Sequence, residues 1–161
     1  MKVLRLLTVL SIFAFTSCET NPCDQTECLN NGYCIDGTCE CPEWYTGENC
    51  GQEERSLYYG TYNGNTTYKD LDGNIVTSHG QVIEVAAGNG LQQLDAGELT
   101  FNLKNSGSTE FNVPTATVFN ALLGNATWTG IGYFDEDQLL ITGTTQIQGL
   151  DVTFVYSGSK Q

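Results

Sequence analysis

Residues 97–103, GELTFNL, alternate strictly: Leu99, Phe101 and Leu103 fall on one side, Thr100 and Asn102 on the other. A period of two is the signature of a strand with one face buried. The same pattern recurs through residues 57–161. Asp72-Gly73 divides TTYKDLDGNIVTS into two strands joined by a tight turn. QVIEVAA stops at GNG, and NSGS turns the chain again. TATVFNALL reads as a strand or a short helix. ATWTGIGYF and QLLITGTTQ are strands around the turn DED, and LDVTFVY sets Leu150, Val152, Phe154 and Tyr156 on one side. Gly130 and Gly132, inside a strand, predict a bend or a close backbone approach at a barrel corner. Eight or nine strands spaced by about 8–12 residues, with no long helical period, predict an antiparallel β-sandwich or a small β-barrel.

The first third of the chain has a different pattern. Lys2 and Arg5 precede an apolar run from Leu6 to Phe15, and the small residues Thr16 and Ser17 follow. Charged start, apolar middle and small residues at the cut make an export signal over residues 1–17. The run is shorter than the roughly 20 apolar residues that span a bilayer. Phe-Thr-Ser-Cys at residues 15–18 resembles a bacterial lipoprotein signal, with Phe15 where the family pattern usually has Leu. That resemblance implies cleavage before Cys18 and acylation of Cys18, palmitate included, within a lipidated N-terminus of residues 18–21. Ordinary signal cleavage near Ser17 would instead leave Cys18 as a leftover thiol among seven cysteines.

The other six cysteines are Cys23, Cys28, Cys34, Cys39, Cys41 and Cys50, spaced C-x4-C-x5-C-x4-C-x-C-x8-C. Spacing alone leaves their pairing open. With Asn30-Asn31-Gly32 before the third cysteine, and Tyr45 and Gly47 before the sixth, residues 22–51 resemble an EGF-like domain. The resemblance implies the pairs Cys23–Cys34, Cys28–Cys39 and Cys41–Cys50. It departs from the family at Trp44, where Gly is usual. Trp44 and Tyr45 then sit side by side on a module with almost no interior, and both are candidate contact residues. Residues 19–22 lack the carboxylates of the calcium-binding members, so no metal is expected here. So short a segment cannot bury enough apolar surface, and cross-links replace a core in an oxidising compartment. Residues 52–56 are polar and read as a linker to the β domain at 57–161. The module order, together with Gly60-Thr61-Tyr62, resembles a class of Gram-negative surface lipoproteins.

The 161 residues carry 19 acidic and six basic side chains. Without Lys2 and Arg5 only Arg55, Lys69, Lys104 and Lys160 remain as cations. That balance speaks against nucleic acid as a partner. Catalytic chemistry has little to stand on. His79 is the single histidine and reads as an exposed turn residue. Asp135, Glu136 and Asp137 are adjacent in a turn and point apart. No phosphate-binding or dinucleotide motif occurs. The expectation is a non-enzymatic lipoprotein of the outer membrane, facing the cell surface and held by its N-terminal lipid. It would bind a protein or carbohydrate without a cofactor; Tyr58, Tyr59, Trp128 and Tyr133 are candidate sugar platforms. The alternative is a lipocalin-like carrier with a small apolar ligand in the β domain.

Overall fold

A computed structural model describes residues 21–120, 124–147 and 149–161. The export signal at 1–17 and the proposed lipid site at Cys18 lie outside these residues.

Two regions follow one another. The first is a disulfide-rich module of short pieces: a 3-10 turn (Pro22–Gln25), the hairpin β1 (Tyr33–Ile35) and β2 (Thr38–Glu40), and β3 (Tyr45–Thr46) paired with β4 (Gln52–Glu53). Its bonds are Cys23–Cys34, Cys28–Cys39 and Cys41–Cys50. The Asn-Asn-Gly stretch has a local cause. Asn30 and Asn31 both take left-handed φ, 50° and 66°, which asparagine tolerates better than most residues. A Cβ on Gly32 would sit 2.7 Å from Cys50 Sγ, so no larger residue fits against that sulfur. Cys50 is the only fully buried side chain of residues 21–51.

The second region is a closed barrel of eight antiparallel strands. These are β5 (Gly60–Lys69), β6 (Ile75–Ala87), β7 (Gln93–Ala96), β8 (Leu99–Leu103), β9 (Glu110–Asn120), β10 (Gly124–Asp135), β11 (Gln138–Ile147) and β12 (Leu150–Lys160). Each strand pairs with its successor, and β12 returns to β5 with Lys160 opposite Tyr62 and Thr153 opposite Lys69. Of the two architectures that the alternation allows, the chain adopts the barrel, and residues 115–120 of the helix-or-strand segment are strand. Closure removes the free edges that a sandwich would have to protect, except along β6 and β9 beyond the short β7–β8 hairpin.

Alternation sorts the side chains. Tyr62, Thr66 and Tyr68 of β5 are buried, as are Val152, Phe154 and Tyr156 of β12. Outward positions are mostly polar: Asn63, Asn65, Thr127, Thr129, Thr144 and Thr153 are exposed. That is the reverse of a lipid-facing barrel, whose apolar residues point out. Trp128 stacks on Phe154 at 4.1 Å and Phe101 on Phe111 at 4.4 Å, filling the middle of the interior. Small residues on facing strands make room for these rings. Gly130 lies opposite Gly143, and a Cβ on Gly130 would strike the Thr142 carbonyl. This is the close backbone approach expected of that strand.

One end of the barrel is plugged by the chain that enters it. Residues 52–56, expected as a polar linker, form β4 and the start of a 3-10 helix (Glu54–Tyr58). Arg55 is buried there. Its guanidinium donates to the carbonyls of Gly88 (2.8 Å), Gly90 (2.7 Å) and Gln93 (3.0 Å) and to Glu53 Oε2 (2.7 Å). It thereby fastens the β6–β7 loop to the entering chain. Tyr58 stacks on Phe134 at 4.3 Å, Tyr62 donates to the Tyr58 carbonyl, and Tyr156 donates to the Tyr62 carbonyl.

Candidate binding site at the barrel mouth

The opposite end carries the β5–β6 and β11–β12 hairpin tips. They are neighbours because β12 pairs with β5, although about 75 residues separate them in sequence. Between them lies a recess of about 690 Å³. Its lining combines apolar groups, Leu71, Val76, Ile147, Leu150 and Val152, with the carboxylates Asp70, Asp72 and Asp151. Leu71 and Leu150 are 78% and 70% exposed, so the rim presents bare hydrocarbon to solvent.

Two of the carboxylates are held in place. Asp70 accepts from the Asn74 backbone N–H (2.8 Å) and from Asn74 Nδ2 (3.0 Å), which lowers its pKa and keeps it charged. Asp151 accepts from Gln146 Nε2 at 2.8 Å. The local sequence dictates the first arrangement. In Asp-Leu-Asp-Gly-Asn the leading Asp side chain closes the tip, and Gly73 supplies the positive φ of 86° that the turn requires.

Beneath the recess the barrel carries polar atoms with no hydrogen-bond partner among the described residues: the Tyr68 hydroxyl, the Trp128 indole N–H and the Thr145 hydroxyl. Tyr68 is paired across the sheet with Thr77, and Thr145 with Val152; Thr77 and Val152 both line the recess. Burial pushes the Tyr68 pKa up to about 12. Trp128 N–H eases it only partly and stops short of hydrogen-bond geometry. Unsatisfied buried donors are costly, and a site of this kind gains from a polar group or a water that reaches it.

His79 is not in a turn. It lies within β6 opposite Thr66, half-buried, with its ring 5.6 Å from that of Tyr68. Among the candidate sugar platforms, Trp128 is core, and Tyr58 and Tyr59 pack against the core, while Tyr133 is 43% exposed. Trp44 is half-buried against the barrel core, and its backbone N–H donates to Ser106 Oγ at 3.2 Å. Ser106 Oγ in turn donates to the Glu54 carboxylate at 2.8 Å, which also receives the Gly107 N–H. Tyr45 is half-buried and pairs with Glu53. Trp44 thus belongs to the junction between module and barrel. Among the described residues no cluster of three or more His, Cys, Asp or Glu is placed to hold a metal ion.

Comparison with protein families, with characterised proteins and with solved structures finds no match to this chain. Alternation along the chain could not locate the recess, because it arises where two distant hairpins meet. The sequence signals that could have found it are Leu71 between Asp70 and Asp72, and Leu150 before Asp151, each at a turn.

Proposed function

We propose that the protein is a membrane-anchored, non-catalytic binding lipoprotein whose barrel mouth takes a compact ligand with an apolar body and a cationic head. The recess carries this reading. It offers hydrocarbon at its floor and rim, and three carboxylates without a lysine or arginine among its lining residues. Mouths of small barrels are recurrent ligand sites, and eight strands leave room for one small ligand at most. In this reading Cys18 bears the acyl anchor in the outer membrane, and the EGF-like module stands between anchor and barrel. Strands of about ten residues set the mouth roughly 25 Å beyond the module, facing away from the tether.

The test compares hexyltrimethylammonium with hexyl sulfate by calorimetry. Six chain carbons at about 0.8 kcal/mol each correspond to a dissociation constant of about 0.3–1 mM for the cation. The sulfate should bind too weakly to detect, and Leu150→Ser, at an exposed rim position, should weaken the cation about tenfold through lost hydrocarbon contact. Equal binding of both probes, or none of the cation, overturns the proposal. A Cys18→Ala variant that stays with membranes would remove its anchored part.

A further inference from the structure

Between β6 and β9 the barrel wall is closed by pairing only near the plugged end. β6 pairs with β7 at Ala86 and Ala87 alone, and β8 pairs with β9 at Asn102 and Leu103 alone. The β7–β8 hairpin is short and turns back at Gly97 and Glu98. Above it, toward the mouth, β6 from Ile75 to Val85 is paired with β5 only, and β9 from Val113 onward with β10 only, among the described residues. Between these two free edges lies a slot of about 270 Å³ lined by Gln81, Glu84, Gly97, Glu98, Val118 and Phe119, among others.

The two edges are protected unequally. β9 carries Pro114, which has no N–H to offer, and a bulge where Val113 and Ala116 flank the register shift opposite Trp128 and Gly130. Its Phe119 N–H is already taken by Glu98 Oε2 at 2.7 Å. β6 has none of these devices between residues 75 and 83: no proline, no lysine and no carboxylate, while Val76 and Val82 stand exposed. Long unprotected edges are normally selected against because another strand adds to them. An edge left bare beside a guarded one is a strand acceptor.

We infer that the slot receives an extended peptide segment that adds as a strand along β6, with apolar side chains alternating along it and basic residues at its ends. Charge selects that occupant. Glu84 and Glu98 line the slot, with no lysine or arginine among its lining residues. A second copy of this acidic chain is a poorer match to that lining.

The experiment uses the intact protein and a short peptide of alternating Val and Thr with Lys at both ends. Its controls are the same peptide N-methylated at alternate amides and a Glu-ended version. Amide hydrogen exchange is read along residues 75–85. The Lys-ended peptide should slow exchange of the slot-facing amides at least tenfold. The N-methylated and Glu-ended peptides should leave exchange unchanged, and the double variant Glu84→Gln, Glu98→Gln should bind the Lys-ended peptide about tenfold more weakly. Equal protection by the N-methylated peptide overturns the strand-addition geometry. No protection by any peptide overturns the site. Edge amides already protected in a protein that sediments as a dimer would assign the edge to a second copy and overturn the peptide partner.

Discussion

The disulfide module and the barrel reach order by opposite routes. Three cross-links within residues 23–50 hold a segment whose one fully buried side chain is the Cys50 half-cystine. The barrel has no cysteine and is held by buried rings and by a strand ladder that closes on itself. Sulfur chemistry stabilises chiefly by restricting the unfolded chain, whereas the barrel depends on water leaving apolar surface. Reductant should dissolve one region, and conditions that charge or hollow out the interior should dissolve the other.

Alkali should have the largest effect, and only on the barrel. Tyr62, Tyr68 and Tyr156 each have pKa values raised to about 12, with burial as the main cause. Their folded values lie above the ordinary 10.0, so this stabilisation is complete below pH 10 and disappears as pH climbs toward 12. Tyrosinate absorbance and far-ultraviolet circular dichroism should change together in that window. Ionisation of all eight tyrosines near pH 10 without loss of strand signal would contradict the packing described for these rings.

Trp128→Ala should follow, costing the barrel about 3–5 kcal/mol in urea unfolding while all three disulfides persist. Arg55→Met should cost about 2–4 kcal/mol, because three backbone carbonyls lose a buried charged donor. It should also speed amide exchange at Gln93, whose N–H closes the β6–β7 loop onto Gly90. Replacing Cys41 and Cys50 together by alanine should cost the module about 2–3 kcal/mol and move the barrel transition by about 1 kcal/mol or less. An equal loss in both regions would mean that the Trp44 and Glu54 contacts couple them into one unfolding unit.

Local alternation made much of the barrel legible. Leu99, Phe101 and Leu103 announced an inner face, and all three are buried. The turn at Asp72-Gly73 fell where the β5–β6 tip is. Arg55 escaped because a polar residue in a polar stretch looks like linker, and its burial depends on carbonyls of a loop more than thirty residues away. His79 was misplaced because Ser-His-Gly has turn composition, while pairing with β5 overrides that local preference. Closure, the recess and the slot all depend on pairings between distant segments, which no short window of sequence contains. Leu150 shows the limit plainly: it shares the parity of Val152, Phe154 and Tyr156 yet is exposed, since the strand begins at the rim.

Where a small amphipathic cation touches the barrel decides whether the mouth is the binding site. Methyl-resolved nuclear magnetic resonance during titration with hexyltrimethylammonium reads this residue by residue. The methyl groups of Leu71, Val76, Ile147, Leu150 and Val152 should shift together and saturate as one process. Shifts confined to the outer wall, at Ile131 and Leu140, with the mouth silent, would contradict the assignment.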